Sequence, residues 1–231
     1  MNPGSFMSQR RVAVPVALLI CIASTVFVFL RIANAVRSEE IVALDRAILL
    51  WFRDPRNSAD PIGPQWFEET VAEITALGGY PVLTVLIASV AGYLVLSRKF
   101  GPAAYMLVSI GAGTALSQLL KLVYARPRPD LVNHLVDTFT ASFPSGHATM
   151  ATVVYLTLAA LIVLFVGKLR IRIYVVVAAV VLALAVGTSR VYLGVHWPSD
   201  VLAGWALGVA WAAFSWLVFT WLHTRRWGEP E

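Results

Sequence analysis

Three short polar stretches interrupt an otherwise apolar chain and hold the residues equipped for chemistry. They are KLVYARPRP (Lys121–Pro129), FPSGHAT (Phe143–Thr149) and SRVYLGVHWPSD (Ser189–Asp200). Lys121, Arg128 and Arg190 stand at or just past the ends of apolar runs. Cations converging there make an anion site, and guanidinium forks match phosphate oxygens in pairs. Pro144-Ser145-Gly146-His147 opens the next apolar run. A helix N-terminus at that point offers unpaired N–H groups and a partial positive charge to a phosphate, and Gly146 lets the backbone come close to it. Ser145 either caps the helix or donates to a phosphate oxygen; His147 would stand at the mouth of the site. His196 and Asp200 are four residues apart, with Pro198 suited to a first helical turn between them. An Asp200 carboxylate reaching back to one ring nitrogen fixes the His196 tautomer and leaves the other nitrogen free to attack. Asp200 as a plain helix-capping carboxylate is the alternative.

Such groups need elements that carry them to one place. Of 231 residues 58% are hydrophobic and 13% charged, and the mean hydropathy is +0.74. A soluble domain carries about twice that charged fraction, so the chain reads as an integral membrane protein. Six runs approach the ~20 apolar residues a spanning helix needs: Val12–Leu30, Ile74–Leu96, Pro102–Leu120, His147–Val166, Ile173–Thr188 and Val201–Leu222. All six are predicted as helices, because an open strand leaves its backbone unpaired in lipid. The expected fold is all-α, a six-helix transmembrane bundle with an amphipathic helix on its outer surface. Residues 1–73 form a membrane anchor and outer interfacial segment, and 74–231 a five-span core that holds the chemistry.

Charge sets the orientation. Arg10 and Arg11, Arg98 and Lys99, Lys168, Arg170 and Arg172, and Arg225 and Arg226 fall in alternate connections and at both termini. The positive-inside rule puts them in the cytoplasm, so the motif loops face outward. The net charge of +5 is thus explained by topology, and nucleic acid is excluded as a partner. Arg10-Arg11 and Ala33-Asn34-Ala35 also resemble a cleavable signal, but the apolar run is longer than such signals use, and an uncleaved anchor is expected. In the outer segment Ile41, Leu44, Ile48, Trp51 and Phe52 recur at helical spacing, either as a surface helix or as packing against the bundle; Asp54, Pro55, Asn57 and Pro61 read as a turn region. Arg126 reads as a surface or headgroup contact, and His134 and His223 as surface or packing groups. Cys21 is alone, so no intramolecular disulfide forms. No residue set has metal-ligand spacing, and no cofactor is expected.

The ordered motifs K-x6-RP, PSGH and SR-x5-H-x3-D, here Lys121–Pro129, Pro144–His147 and Ser189–Asp200, resemble the signature of the type 2 phosphatidic acid phosphatase superfamily, and every signature position matches. The resemblance extends over about Thr75 to Gly208. It implies a phosphatase in which His196 is the nucleophile and forms a phosphohistidine, Asp200 orients it, and His147 protonates the leaving oxygen and then activates water. Lys121, Arg128, Arg190, Ser145 and the Gly146 N–H would hold the phosphoryl oxygens.

The apolar setting points to a lipid phosphate or diphosphate whose tail stays in the bilayer. Phosphatidic acid, phosphatidylglycerol phosphate, undecaprenyl diphosphate and a lipid A phosphate all fit. A bacterial inner membrane, with both termini cytoplasmic and the site on the periplasmic face, is the expected location. The alternatives are a vanadate-dependent haloperoxidase, which six spans disfavour, and a non-catalytic lipid-phosphate transporter or binding protein, which leaves the histidines without a use.

Overall fold

A computed structural model of the chain describes the backbone of residues 3–132 and 140–227 and the side chains of 13–132 and 140–222. His134 and His223 lie outside the residues whose side chains are described. In chain order the elements are α1 (Pro3–Arg37), α2 (Val42–Trp51), a hairpin of β1 (Arg53–Asp54) and β2 (Asn57–Pro61), α3 (Gln65–Ala76), α4 (Tyr80–Leu96), α5 (Phe100–Tyr124), α6 (Gly146–Phe165), α7 (Leu169–Tyr192) and α8 (Pro198–Trp227).

Five helices are long and apolar enough to cross a membrane, and a sixth crossing is made if α3 and α4 count as one span bent by 44°. The bend revises the continuous helix expected over Ile74–Leu96. Gly78 and Gly79 stand at the bend, and Pro81 follows in the first turn of α4. A Cβ at Gly78 would lie 2.3 Å from Val186 Cγ1, so only glycine lets the chain pass α7 there. The expected run Ile173–Thr188 extends at both ends to fill α7. The helix expected around Ile41–Phe52 is α2, which packs on the start of α8 through Leu49 and Asp45, and the turn region after it pairs as the hairpin, Arg53 opposite Pro61 and Asp54 opposite Asn57. This is the only strand structure among the described residues, so the fold is otherwise all-helical.

α6 is the most buried span and packs against α5, α7 and α8, while α1 lies along α8 with most of its surface exposed. Met106 and Ile110 of α5 meet Met150, Val153, Val154 and Leu161 of α6 in the main apolar cluster. Lipid tails are as apolar as these side chains, so helix association in a bilayer relies on close packing of small residues. Gly204 and Gly208 of α8 supply it. A Cβ at Gly208 would stand 2.6 Å from Thr152 Cβ, and one at Gly204 2.9 Å from the Ser145 carbonyl oxygen. This contact draws the N-termini of α6 and α8 together, and the Ser145 N–H donates to the Asp200 carbonyl at 3.0 Å. At the opposite end of the bundle Lys99 Nζ, just before α5, stands 3.8 Å above the ring of Phe165, the last residue of α6.

Candidate active site

Four helix ends and two loops build the site. α5 ends on Ala125, whose left-handed φ of 42° breaks the helix and turns the Arg126–Pro129 segment across the bundle. Lys121, one turn earlier, is buried, and its ammonium donates to the Ala141 carbonyl at 2.5 Å. Pro127 and Pro129 keep the following chain out of helix. Arg128 is held by its Nε to Thr140 O at 2.9 Å and its Nη1 to Val195 O at 2.5 Å. The same Nη1 lies 3.2 Å from His196 Nε2.

Gly146 and His147 form the first turn of α6, whose leading N–H groups have no carbonyl four residues back. Ser145 makes no capping bond, and its buried Oγ has no hydrogen-bond partner; of its two readings, the cap is not realised. Arg190, in the last turn of α7, donates from Nη1 to Thr75 Oγ1 at 3.1 Å, while its buried Nε has no partner. An unpaired buried donor is costly; among the described residues Arg53, Tyr105 and Ser117 carry such atoms as well, and of the two here Arg190 borders the cavity while Ser145 lies behind its lining.

Lys121, Arg128, Gly146, His147, Arg190 and His196 line one cavity of about 230 Å³, which Tyr80 and Gln118 also border. Six of the eight residues singled out from sequence thus share one space. Asp200 stands behind His196, fully buried in the first turn of α8. Its Oδ2 accepts from the Trp197 N–H at 3.0 Å and from Ser142 Oγ, and lies 3.5 Å from His196 Nδ1. Ser142 Oγ is 3.3 Å from the same ring nitrogen. Nδ1 therefore faces Ser142 and Asp200, and Nε2 faces Arg128. Burial outweighs the raising influence of Asp200 and lowers the His196 imidazole to about 3, so the ring is neutral and Nε2 keeps its lone pair. Burial also lowers the Arg128 guanidinium from its ordinary value, against the pull of Asp200.

One residue departs from its sequence reading. Arg126 is not a surface or headgroup contact. Its side chain is 10% exposed and pairs with Asp200 Oδ1 at 2.7 Å and Asp45 Oδ2 at 2.8 Å. Asp45 and Ser142 were missed altogether. Asp45 had a signal: it sits four residues from both Ile41 and Leu49, on the apolar face of α2, where a carboxylate calls for a buried partner. Ser142 had none.

Fold and site together define a polytopic helical membrane protein with a cationic cavity that contains two histidines. Residues 102–225 match the PAP2 superfamily, and the chain belongs to that family. It is 35% identical over 184 residues to the phosphatidylglycerophosphatase B of Bacillus subtilis (strain 168), covering 78% of this chain and 86% of that one. To an undecaprenyl-diphosphatase of Sulfolobus acidocaldarius it is 34% identical over 123 residues, 51% of this chain and 54% of the other. The crystal structure of a transmembrane PAP2-type phosphatidylglycerolphosphate phosphatase from Bacillus subtilis superposes with a TM-score of 0.75 at 31% identity, over 88% of this chain and 96% of that one. The protein is a membrane phosphatase, and the haloperoxidase and non-catalytic readings give way to that one.

Proposed function

We propose that the protein hydrolyses the terminal phosphate of a lipid phosphate or diphosphate through a phosphohistidine, without a metal ion, at the outer face of a bacterial inner membrane. The observation that carries this reading is the division of His196 between two environments. Nδ1 is held by Ser142 and Asp200, and Nε2 belongs to the cavity that Lys121, Arg128, Arg190 and His147 line.

The steps follow from that arrangement. The terminal phosphoryl group enters the cavity and takes its oxygens to Lys121, Arg128, Arg190 and the first-turn N–H groups of α6, with Arg190 Nε gaining the partner it lacks and Ser145 Oγ reached once the bound phosphate draws it forward. Arg128 shifts from Nε2 to the phosphate. Nε2 attacks phosphorus, the bond to the lipid oxygen breaks, and His147, entering as the imidazolium that the negative charge of the bound phosphate favours, gives that oxygen its proton and is left neutral. Asp200 balances the charge that builds on the imidazole. A water then delivers its proton to His147 and its oxygen to phosphorus, the N–P bond breaks, and inorganic phosphate leaves with His196 restored. The cations supply the charge neutralisation that a metal gives elsewhere. Among the described residues no three His, Cys, Asp or Glu side chains converge as a metal site.

The lipid substrate is supported by the place of the cavity at the ends of apolar, span-length helices and by relatives named for lipid phosphates. The outer-face reading is supported by the basic turns gathered at the end of the bundle opposite the cavity. The test uses purified protein with a panel of phosphatidic acid, phosphatidylglycerol phosphate and undecaprenyl diphosphate, scored for released phosphate with and without chelator. Release from at least one lipid, inhibited by vanadate and indifferent to chelator, is expected. Activity that disappears on chelation and returns with added metal contradicts the metal-free mechanism.

A further inference from the structure

Arg126 has a place in the structure that the phosphate-binding scheme does not use. It does not border the cavity. It reaches behind Asp200 instead, and its Nη1 donates to Asp200 Oδ1 at 2.7 Å and to Ser199 Oγ at 2.8 Å. Its Nη2 donates to Asp45 Oδ2 at 2.8 Å. Asp45 then closes the ring, accepting from the Ser199 N–H at 2.9 Å and the Ser199 hydroxyl at 2.5 Å. Ser199 is the chain neighbour of Asp200, so α2 grips the first turn of α8 through Asp45. Trp197 covers the ring, its aromatic face 5.5 Å from Arg126 Cζ. Asp45, Ser199 and Asp200 are all buried.

We infer that Arg126 and Asp45 are positioning residues for the catalytic carboxylate. Arg126 ties down one oxygen of Asp200 so that the other faces His196, and Asp45 offsets the charge of Arg126 so that Asp200 still acts on His196 as an anion. The inference rests on the reading of His196 as a nucleophile oriented by Asp200.

An arginine paired with Asp200 alone would cancel the carboxylate just where a positive imidazole has to be stabilised. Two carboxylates around one guanidinium leave one net negative charge beside His196, and in a buried setting that charge is poorly screened. The geometry is equally specific. A guanidinium fork bridges two carboxylates with fixed angles, which an ammonium does not reproduce. The interfacial segment thus contributes to the catalytic apparatus through a single aspartate on α2.

The test measures kcat, KM and inhibition by inorganic phosphate for Arg126→Met, Arg126→Lys, Asp45→Asn and the double variant Asp45→Asn/Arg126→Met. His196→Ala and Asp200→Asn run as references, and thermal midpoints are taken in detergent. Losing a buried charge-assisted bond lowers kcat about 100-fold in Arg126→Met and about 10-fold in Asp45→Asn. Arg126→Lys retains the charge, recovers part of the loss and covers the case in which the methionine variant does not fold. KM and the phosphate inhibition constant stay within about threefold of native, because Arg126 lies outside the cavity. The double variant restores the single net negative charge and is at least as active as Arg126→Met, which no general loss of structure produces. The inference is overturned if Arg126→Met and Asp45→Asn both keep native kcat while His196→Ala and Asp200→Asn are inactive. It is overturned equally if the double variant falls to the product of the single losses, or if phosphate inhibition weakens in step with kcat, which makes Arg126 a phosphate ligand. Native turnover by His196→Ala removes the nucleophile reading itself, and the inference with it.

Discussion

Ser142→Ala isolates the contact that holds the proposed nucleophile. Ser142 is fully buried and stands outside the phosphate cavity. Its hydroxyl donates to Asp200 Oδ2, and its oxygen is the nearer acceptor for His196 Nδ1, at 3.3 Å against 3.5 Å for the carboxylate. With the hydroxyl removed, Nδ1–H is left with a partner beyond the usual hydrogen-bond range. Asp200 Oδ2 loses a charge-assisted donor and keeps the Trp197 N–H. A hydrogen bond to a charged group is worth about 1.5–3 kcal/mol. The loss grows as the ring becomes positive during attack, so most of it falls on the transition state and lowers kcat about 10- to 100-fold. KM stays near native because the oxygen never meets substrate. The assay is steady-state phosphate release in mixed micelles, with the thermal midpoint measured on the same preparation. A variant with native kcat and an unchanged midpoint would refute the reasoning, as would a loss carried by KM alone.

Further expectations concern packing, pH and topology. Gly78→Ala puts a methyl group into Val186, and overpacking of that kind costs about 1–3 kcal/mol; a lower thermal midpoint together with impaired turnover is expected, since Gly78 also borders the cavity. His196 is lowered to about 3 in the folded protein, against an ordinary value near 6.5. Above about pH 6.5 neither state carries the proton; below it the unfolded chain takes one up and the folded chain does not, so stability falls as pH falls, by about 2 kcal/mol between pH 7 and 5. Thermal melts across that range should show His196→Gln losing less stability than the native protein; parallel slopes contradict the assignment. In a Cys21→Ala background, a cysteine replacing the exposed Ser58 of the hairpin should label from outside intact cells, whereas one at Gly167, between α6 and α7, should label only after lysis. The reverse pattern puts the site in the cytoplasm.

The sequence was most informative where chemistry and lipid both constrain residue type. Helix ends that carry Lys121, Arg190, His147 and Asp200 beside apolar runs have few structural uses, so their convergence was legible in the sequence. Spans were legible for the same reason, since a bilayer demands length and apolarity. The break at Gly78 escaped a reading by hydropathy, which gives no weight to the Gly78-Gly79 pair or to Pro81 that mark it; the close approach of Gly78 to Val186, on a helix distant in sequence, leaves no trace in the sequence at all. Arg126 was misread because charge in an outer loop has the same appearance whether it meets water or a buried acid. Its partner Asp45 lies 81 residues away, and a pairing at that separation follows only from packing. Ser142 is a small residue among small residues, and its role lies wholly in its geometry.

The proposed mechanism turns on a covalent bond between phosphorus and His196. The direct measurement is rapid-quench trapping with substrate labelled in its terminal phosphate, followed by peptide mapping under alkaline conditions that preserve phosphoramidates. One acid-labile label on His196 is expected, formed before phosphate is released and absent from His196→Ala, whose turnover falls by several orders of magnitude. Label on any other side chain, or substantial turnover by His196→Ala, would contradict it.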